Sequence, residues 1–181
     1  MDSKDIFLVG EKIYLRPLNK KDSEGNYPNW LNNPEVCKYN RHARFPNTYE
    51  KTLDYIEFVS KSPKELVLAI IEKSTSRHIG NVTLSNINFI DRNAELSIII
   101  GEKDCWGKGY GKEACKLMIN HAFTTLNLHR IFSGTHEDNI GFRKLAESVG
   151  MKEEGKYIEN IFKNGKYSNT VWYGILNLNH K

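Results

Sequence analysis

A disulfide framework is the first thing this sequence cannot build. It has three cysteines, Cys37, Cys105 and Cys115, an odd count without metal-ligand or redox spacing, so a reducing compartment is the simplest setting. Long apolar runs are missing too. No segment reaches the length needed to span a bilayer, and the Met1-Asp2-Ser3-Lys4 start opens no apolar stretch of signal-peptide length. The expectation is a cytoplasmic protein with no membrane partner. Charge is not gathered into a block or tail: a formal net charge of +4 is spread along 181 residues. That favours mild attraction to anionic ligands and gives little support to a nucleic-acid partner. No ligand cluster argues for a metal. There is no internal repeat, low-complexity segment or linker, and the length suits one domain, taken as 1–181 with its core at 7–178.

What is present is an ordinary globular mixture, 39% apolar and 27% charged, organised around the stretch Ala94 to Lys112. Leu96-Ser97-Ile98-Ile99-Ile100 is a short β-branched run ended by Gly101, the form of a buried strand. Gly107, Gly109 and Gly111 follow within five positions. Ala114, Leu117, Met118, Ala122 and Leu126 then recur at helical spacing. Strand, glycine loop and helix start together aim bare backbone N–H groups and the positive end of a helix dipole at one spot, which suits a phosphate.

Either side of this stretch the pattern is mixed. Lys12 to Leu18 alternates as a strand, and Trp30 and Leu31 anchor a short helix before Pro34. Val36 to Pro46, with Tyr39, Asn40, Arg41, His42, Arg44 and Phe45, suits either a pocket wall or a solvated loop. Asn47 and Glu50 resemble a capping box for a helix to about Ser60. Strands are expected at Glu65 to Glu72 and His78 to Ile87, and Asp91-Arg92-Asn93 turns into the central strand. Arg130 to Thr135 reads as a strand. Asn139 leads into a short helix ended by Gly150, and Asn164-Gly165 closes a final hairpin.

Three glycine-loop chemistries compete. A nucleoside-triphosphate loop ending on Gly111-Lys112 would have Trp106 in place of its first glycine and Glu113 in place of the magnesium-binding hydroxyl. A dinucleotide loop needs G-x-G-x-x-G near the start of a βαβ unit, whereas G-x-G-x-G here follows several strands of antiparallel pattern. Trp106-Gly107-Lys108-Gly109-Tyr110-Gly111 instead resembles the pyrophosphate loop of the GNAT superfamily of acyl-CoA-dependent N-acetyltransferases, with Trp106 at the usual Gln/Arg position, as in the RimJ/RimL-like branch. Leu15-Arg16-Pro17-Leu18, Trp30 to Val36, Gly80-Asn81-Val82-Thr83-Leu84, Ala94-Glu95-Leu96, the Asn139 to Gly150 unit and Asn164 to Tyr167 resemble the family in order and spacing, covering nearly the whole chain.

The resemblance implies an α/β (α+β) fold: a mixed, mostly antiparallel twisted sheet with helices on both faces and a splayed strand pair holding acyl-CoA. It implies acetyl-CoA as cosubstrate, with CoA as product. The backbone of Ile98, Ile99 and Ile100 would pair with the pantetheine arm, and one N–H would polarise the thioester carbonyl. Trp106, Gly107, Lys108, Gly109, Tyr110, Gly111 and Lys112 would hold the pyrophosphate, although Lys108 and Lys112 also suit solvated positions. Asn139 and Phe142 would border the arm, Asn139 also being a natural helix cap. An amine would attack the thioester directly. Glu95 matches a position that often supplies the general base, or else it is an exposed strand-end carboxylate paired to Arg92 or another cation.

The family's usual hydroxyls in the late helix are absent: Phe142 stands where related enzymes often carry Ser and Ala146 where many carry Tyr. His136 and Tyr157 are alternative proton donors to the leaving thiolate. Cys105 and Cys115 are expected to be packing residues.

Trp30, Tyr39, Asn40, Arg41 and Asn81 are expected to contact the acceptor, a small-molecule or peptide amine. The basic residues Arg41, His42 and Arg44 favour an anionic one such as an amino-sugar nucleotide and weigh against a polyamine. A protein N-terminus stays open, as does a non-catalytic acyl-CoA-binding module. A homodimer is a weak expectation of the resemblance.

Overall fold

In a computed structural model, residues 5–178 are described. The chain runs β1 (Leu8–Val9), β2 (Ile13–Pro17), a 3-10 turn (Lys20–Glu24), α1 (Tyr27–Asn32), α2 (Tyr49–Lys61), β3 (Leu66–Glu72), β4 (His78–Asn88), β5 (Asn93–Ile100), α3 (Tyr110–Thr124), β6 (Arg130–His136), α4 (Ile140–Ser148), β7 (Lys152–Lys163) and β8 (Lys166–Leu176). The strands form one sheet in the order β1-β2-β3-β4-β5-β6-β8-β7. Every neighbouring pair is antiparallel except β5 and β6. A parallel pair needs a crossover, and α3 supplies it.

Both sheet faces are covered because the strands are apolar on both. Leu15, Leu68, Ile70, Leu84, Leu96 and Ile131 pack with Ala114, Met118 and Ala122 of α3 and Ala146 of α4. Val67, Ala69 and Ile71 pack on the other face with Tyr27, Trp30 and Leu31 of α1 and Ile56 and Val59 of α2. The free cysteines Cys105 and Cys115 are buried in the first of these layers.

The topology forks at one point. Strands β5 and β6 pair only through Asn93/Arg130, Ala94/Ile131 and Glu95/Phe132. Beyond Glu95, β5 stays with β4 as far as Ile100/Gly80, while β6 stays with β8 as far as His136/Thr170. The expected splayed pair is present, and it opens immediately after Glu95.

Local boundaries differ from expectation in two places. Thr48, not Asn47, caps α2, its hydroxyl accepting from Lys51 N–H at 3.3 Å. Asn47 is occupied elsewhere, donating to Leu31 O at 3.0 Å and exchanging bonds with Asn32 at the end of α1. The short β1 adds an edge strand not expected from the sequence. The last hairpin is an Asn164-Gly165 turn, as expected, with φ of 52° and 77°. Among the described residues, no helix is long and apolar enough to cross a membrane.

Candidate active site

The three glycines of the loop do different work. Gly107 and Gly109 take φ of 73° and 89°, a region that side chains with a Cβ rarely enter. A Cβ on either would meet nothing within 4 Å, so the space outside the backbone is open. At Gly111 the reason is packing: a Cβ there would come within 3.0 Å of Leu145 Cδ1 and 3.6 Å of Ile98 Cδ1. Helix α3 is thereby held close to β5. Its first backbone bond runs from Glu113 N–H to Gly109 O at 3.1 Å, which leaves the Gly109, Tyr110, Gly111 and Lys112 N–H groups without intrahelical acceptors.

The side chains of this loop turn to fastening. Trp106 Nε1 donates to Ile100 O at 2.8 Å, tying the loop to the end of β5. Tyr110 donates to Glu72 Oε1 at 2.5 Å, a bond that pushes its phenol up to about 12. Lys108 and Lys112 are exposed.

The fork presents backbone. Gly101 N–H donates to Ile79 O at 2.9 Å, and alternation along an antiparallel strand then turns Ile99 N–H toward β4 as well. Ile98 and Ile100 N–H point into the gap. The expected trio therefore narrows: Ile99 belongs to the β4 ladder, and the Ile100 carbonyl is taken by Trp106. On the far side, Asn139 caps α4, its Oδ1 accepting from Phe142 N–H at 3.2 Å and its Nδ2 donating to Thr135 Oγ1 at 3.0 Å.

On the α1/α2 face the sheet floors a cavity of about 380 Å³ whose wall includes Tyr27, Asn40, His42, Tyr55, Glu65, Asn81, Thr83, Ser85, Ser97 and Ile99. Strand register explains the floor, since Asn81 pairs with Ile99, Thr83 with Ser97 and Ser85 with Glu95. Glu95 is half-buried. Burial raises its pKa, Glu65 adds to the rise, and Asn86 and the Arg41 charge oppose it. The pairing of Glu95 with Arg92 does not form, because Arg92 Nε and NH2 donate to Asn127 O and Oδ1.

Of the residues expected at the acceptor, Asn40 and Asn81 line the cavity and Arg41 acts on Glu95. Tyr39 and Trp30 are not among its lining residues. The Tyr39 ring lies 5.5 Å from that of His136. Trp30 is buried behind the wall, filling the space left by Gly101 and donating from Nε1 to Glu102 Oε1 at 3.0 Å. The basic loop divides: His42 lines the cavity and the Arg41 charge acts on Glu95, while Arg44 is engaged elsewhere. Arg44 NH2 donates to Phe162 O at 2.9 Å, and Lys163 Nζ, from the β7/β8 hairpin, donates to Cys37 O and Asn40 O. The hairpin thus clasps the loop that carries Asn40, Arg41 and His42.

Sequence reasoning passed over Tyr27, Tyr55, Glu65, Thr83, Ser85, Ser97 and His78. The signal for two of them was present, since Thr83 and Ser85 follow Asn81 in alternation with apolar Val82 and Leu84 and so mark one polar face of a strand.

A family model described as Acetyltransferase (GNAT) domain matches residues 12–152. The chain belongs to the GNAT acetyltransferase family. It is 36% identical over 161 residues to a spermidine N(1)-acetyltransferase of Vibrio cholerae, covering 88% of this chain and 90% of that one. It is 31% identical over 179 residues to the probable N-acetyltransferase YjcK of Bacillus subtilis, covering 94% and 97%. Among solved structures, the Vibrio cholerae spermidine N-acetyltransferase in complex with CoA and spermine matches with a TM-score of 0.84 and 27% identity, covering 92% of this chain and 96% of that one.

As a GNAT enzyme the chain is an acyltransferase with acetyl-CoA as cosubstrate. The residues present fit that group: an open positive-φ glycine cradle at unpaired helix N–H groups for phosphate, and unpaired strand amides in the gap for an amide-bearing arm. Neither alternative proton donor reaches toward the gap by a described bond. His136 Nδ1 accepts from Asp138 N–H at 3.2 Å, and the Tyr157 ring packs on Trp172.

Proposed function

We propose that this acetyl-CoA-dependent N-acetyltransferase is of the RimJ/RimL-like kind and acetylates the primary amine of a small molecule or short peptide held in the cavity beside Glu95. The observation that carries the reading is the position of Glu95 at the fork. It is the last β5 residue paired to β6, and it neighbours the cavity wall at Ser85 and Glu65.

Bound in the gap, acetyl-CoA supplies the thioester. The Gly109 to Lys112 amides hold phosphate, and an Ile98 or Ile100 N–H polarises the carbonyl oxygen as a single donor. An α-amine ionises near roughly 7.7 to 8.0 and an alkyl amine near roughly 10.4, so either arrives largely protonated at neutral pH. Glu95, with its carboxyl raised by burial, takes that proton directly or through one water. No hydroxyl stands at Phe142 or Ala146, and the thiolate leaves with a proton from solvent.

A polyamine acceptor is the second reading. Two spermidine N-acetyltransferase relatives and the Glu65–Glu95 carboxylates favour it, and the engagement of Arg44 by the Phe162 carbonyl weakens the objection to a cation. The test is thiol release from acetyl-CoA across polyamines, amino-sugar nucleotides and N-terminal peptides. Turnover with one class assigns the acceptor. Tight CoA binding with no turnover on any amine would make the chain a CoA-binding module instead.

A further inference from the structure

A buried chain of polar groups runs from β2 to the cavity. Arg16 NH1 and NH2 donate to the two oxygens of Asp22 at 2.8 and 2.6 Å, and Asn19 N–H donates to Asp22 Oδ2 at 2.8 Å. Asp22 Oδ1 stands 3.3 Å from His78 Nδ1. His78 Nε2 stands 3.0 Å from Gly80 O and 2.8 Å from Asn81 Oδ1. The Tyr27 and Trp30 rings pack edge-on to the imidazole.

This chain fixes which way the Asn81 amide points. Side-chain amides are normally ambiguous by a half-turn. A backbone carbonyl is not: Gly80 O can only accept, so His78 Nε2 carries a hydrogen. Asn81 then offers that N–H its oxygen, and its Nδ2 is turned the other way, on a residue that lines the cavity. There it has no hydrogen-bond partner among the described residues, although Asn81 is only 4% exposed. The Tyr27 hydroxyl beside it feels the amide but closes no bond to it. A buried amide donor left unpaired is costly and calls for an acceptor atom from outside the protein.

We infer that the Asn81 amide, held by His78, binds an oxygen atom of the acceptor, so that the preferred substrate is an amine that also carries a carbonyl or hydroxyl oxygen. The inference rests on the proposed acetyl transfer and refines its substrate class. A diamine has only donors when protonated and leaves Asn81 Nδ2 unpaired. Asn81 lies opposite Ile99, four residues along β5 from Glu95, about 13 Å at roughly 3.3 Å per residue. A hydrogen bond of about 2.9 Å at each end leaves about 7 Å between amine and oxygen. His78 is a positioning residue in this scheme and touches no substrate.

The test compares δ-aminovaleramide with cadaverine, which differ by a carbonyl in place of one methylene. Wild-type kcat/KM is expected to favour the amide about tenfold, and chiefly through KM. Asn81→Asp places a carboxylate oxygen where the N–H was, and the preference is expected to reverse. His78→Leu frees the amide to turn and is expected to erase it. Equal kcat/KM for the two amines in the wild type, or variants that change both by one factor, would overturn the inference. Should neither amine release thiol, acetyl transfer to such amines fails. Calorimetric titration of both into the CoA-loaded wild type then still decides: tighter amide binding supports the inference, equal binding overturns it.

Discussion

Glu95 and Phe132 are the last residues across which β5 and β6 pair. The carboxylate is therefore fixed to the fork by the sheet itself rather than by a loop. Ladder bonds set its position on one side through Phe132 and on the other through Ser85. In the proposed reaction, this rigidity is what lets a single half-buried carboxylate serve both the gap and the cavity.

Replacing that carboxylate should separate chemistry from binding. Glu95→Gln is expected to lower kcat by about 100-fold or more, the usual contribution of a positioned base, with CoA affinity unchanged by calorimetry. Because burial raises the Glu95 pKa, the acid limb of wild-type kcat/KM should lie above the ordinary carboxylate value of about 4.3. The sign for stability follows: a carboxyl raised on folding weakens the fold as pH rises from its unfolded to its folded pKa. Glu95→Gln should therefore melt no lower than wild type at pH above that window.

Asp22 runs the opposite way. Arg16, His78 and Asn19 N–H together overcome its burial and hold its carboxyl far below the usual carboxylate range. Its contribution is complete above the unfolded value of about 3.9 and is lost as pH falls toward the depressed folded value. Asp22→Asn leaves Arg16 buried without its charge partner and should cost about 3 kcal/mol in urea titration at neutral pH. The difference between variant and wild type should shrink on acidification.

The glycines of the loop predict two different failures. Gly109→Ala meets no neighbour but forces a Cβ residue to φ near 89°, a local strain of about 1–2 kcal/mol, and CoA affinity should fall severalfold with modest loss of Tm. Gly111→Val drives α3 off Leu145 and Ile98 and should lower Tm far more, since overpacking disturbs the whole β5–α3 contact.

Freeing the clasp should affect the acceptor alone. Lys163→Met removes the bonds to Cys37 O and Asn40 O, and the acceptor KM is expected to rise several-fold while the acetyl-CoA KM holds. Steady-state kinetics with each substrate varied in turn measures both.

The donor half of this enzyme was legible from the sequence because it is local. A β-branched run, three glycines and a helical stripe lie within one continuous stretch, and the backbone they specify is itself the group proposed to hold the cosubstrate. The acceptor half was not, because it depends on long-range placement. Trp30 reads as a helix anchor and acceptor contact until Gly101, 71 positions later, opens a slot for its ring. Arg44 reads as part of a loop favouring an anionic acceptor until the fold brings it onto the Phe162 carbonyl, and Lys163 reads only as part of a turn until it reaches the Cys37 carbonyl. His78 gave no periodic signal, and its importance rests on Asp22 and Asn81, which only the fold brings to its two nitrogens.

The central claim is that the acyl arm of the cosubstrate lies in the fork between β5 and β6. Amide hydrogen exchange, resolved by residue with and without CoA, measures it most directly. Ile98 and Ile100 N–H should slow markedly on binding, together with Gly109 to Lys112, while Ile99, already bonded to β4, should change little. Slowing confined to the glycine loop, with Ile98 and Ile100 unaffected, would contradict the claim.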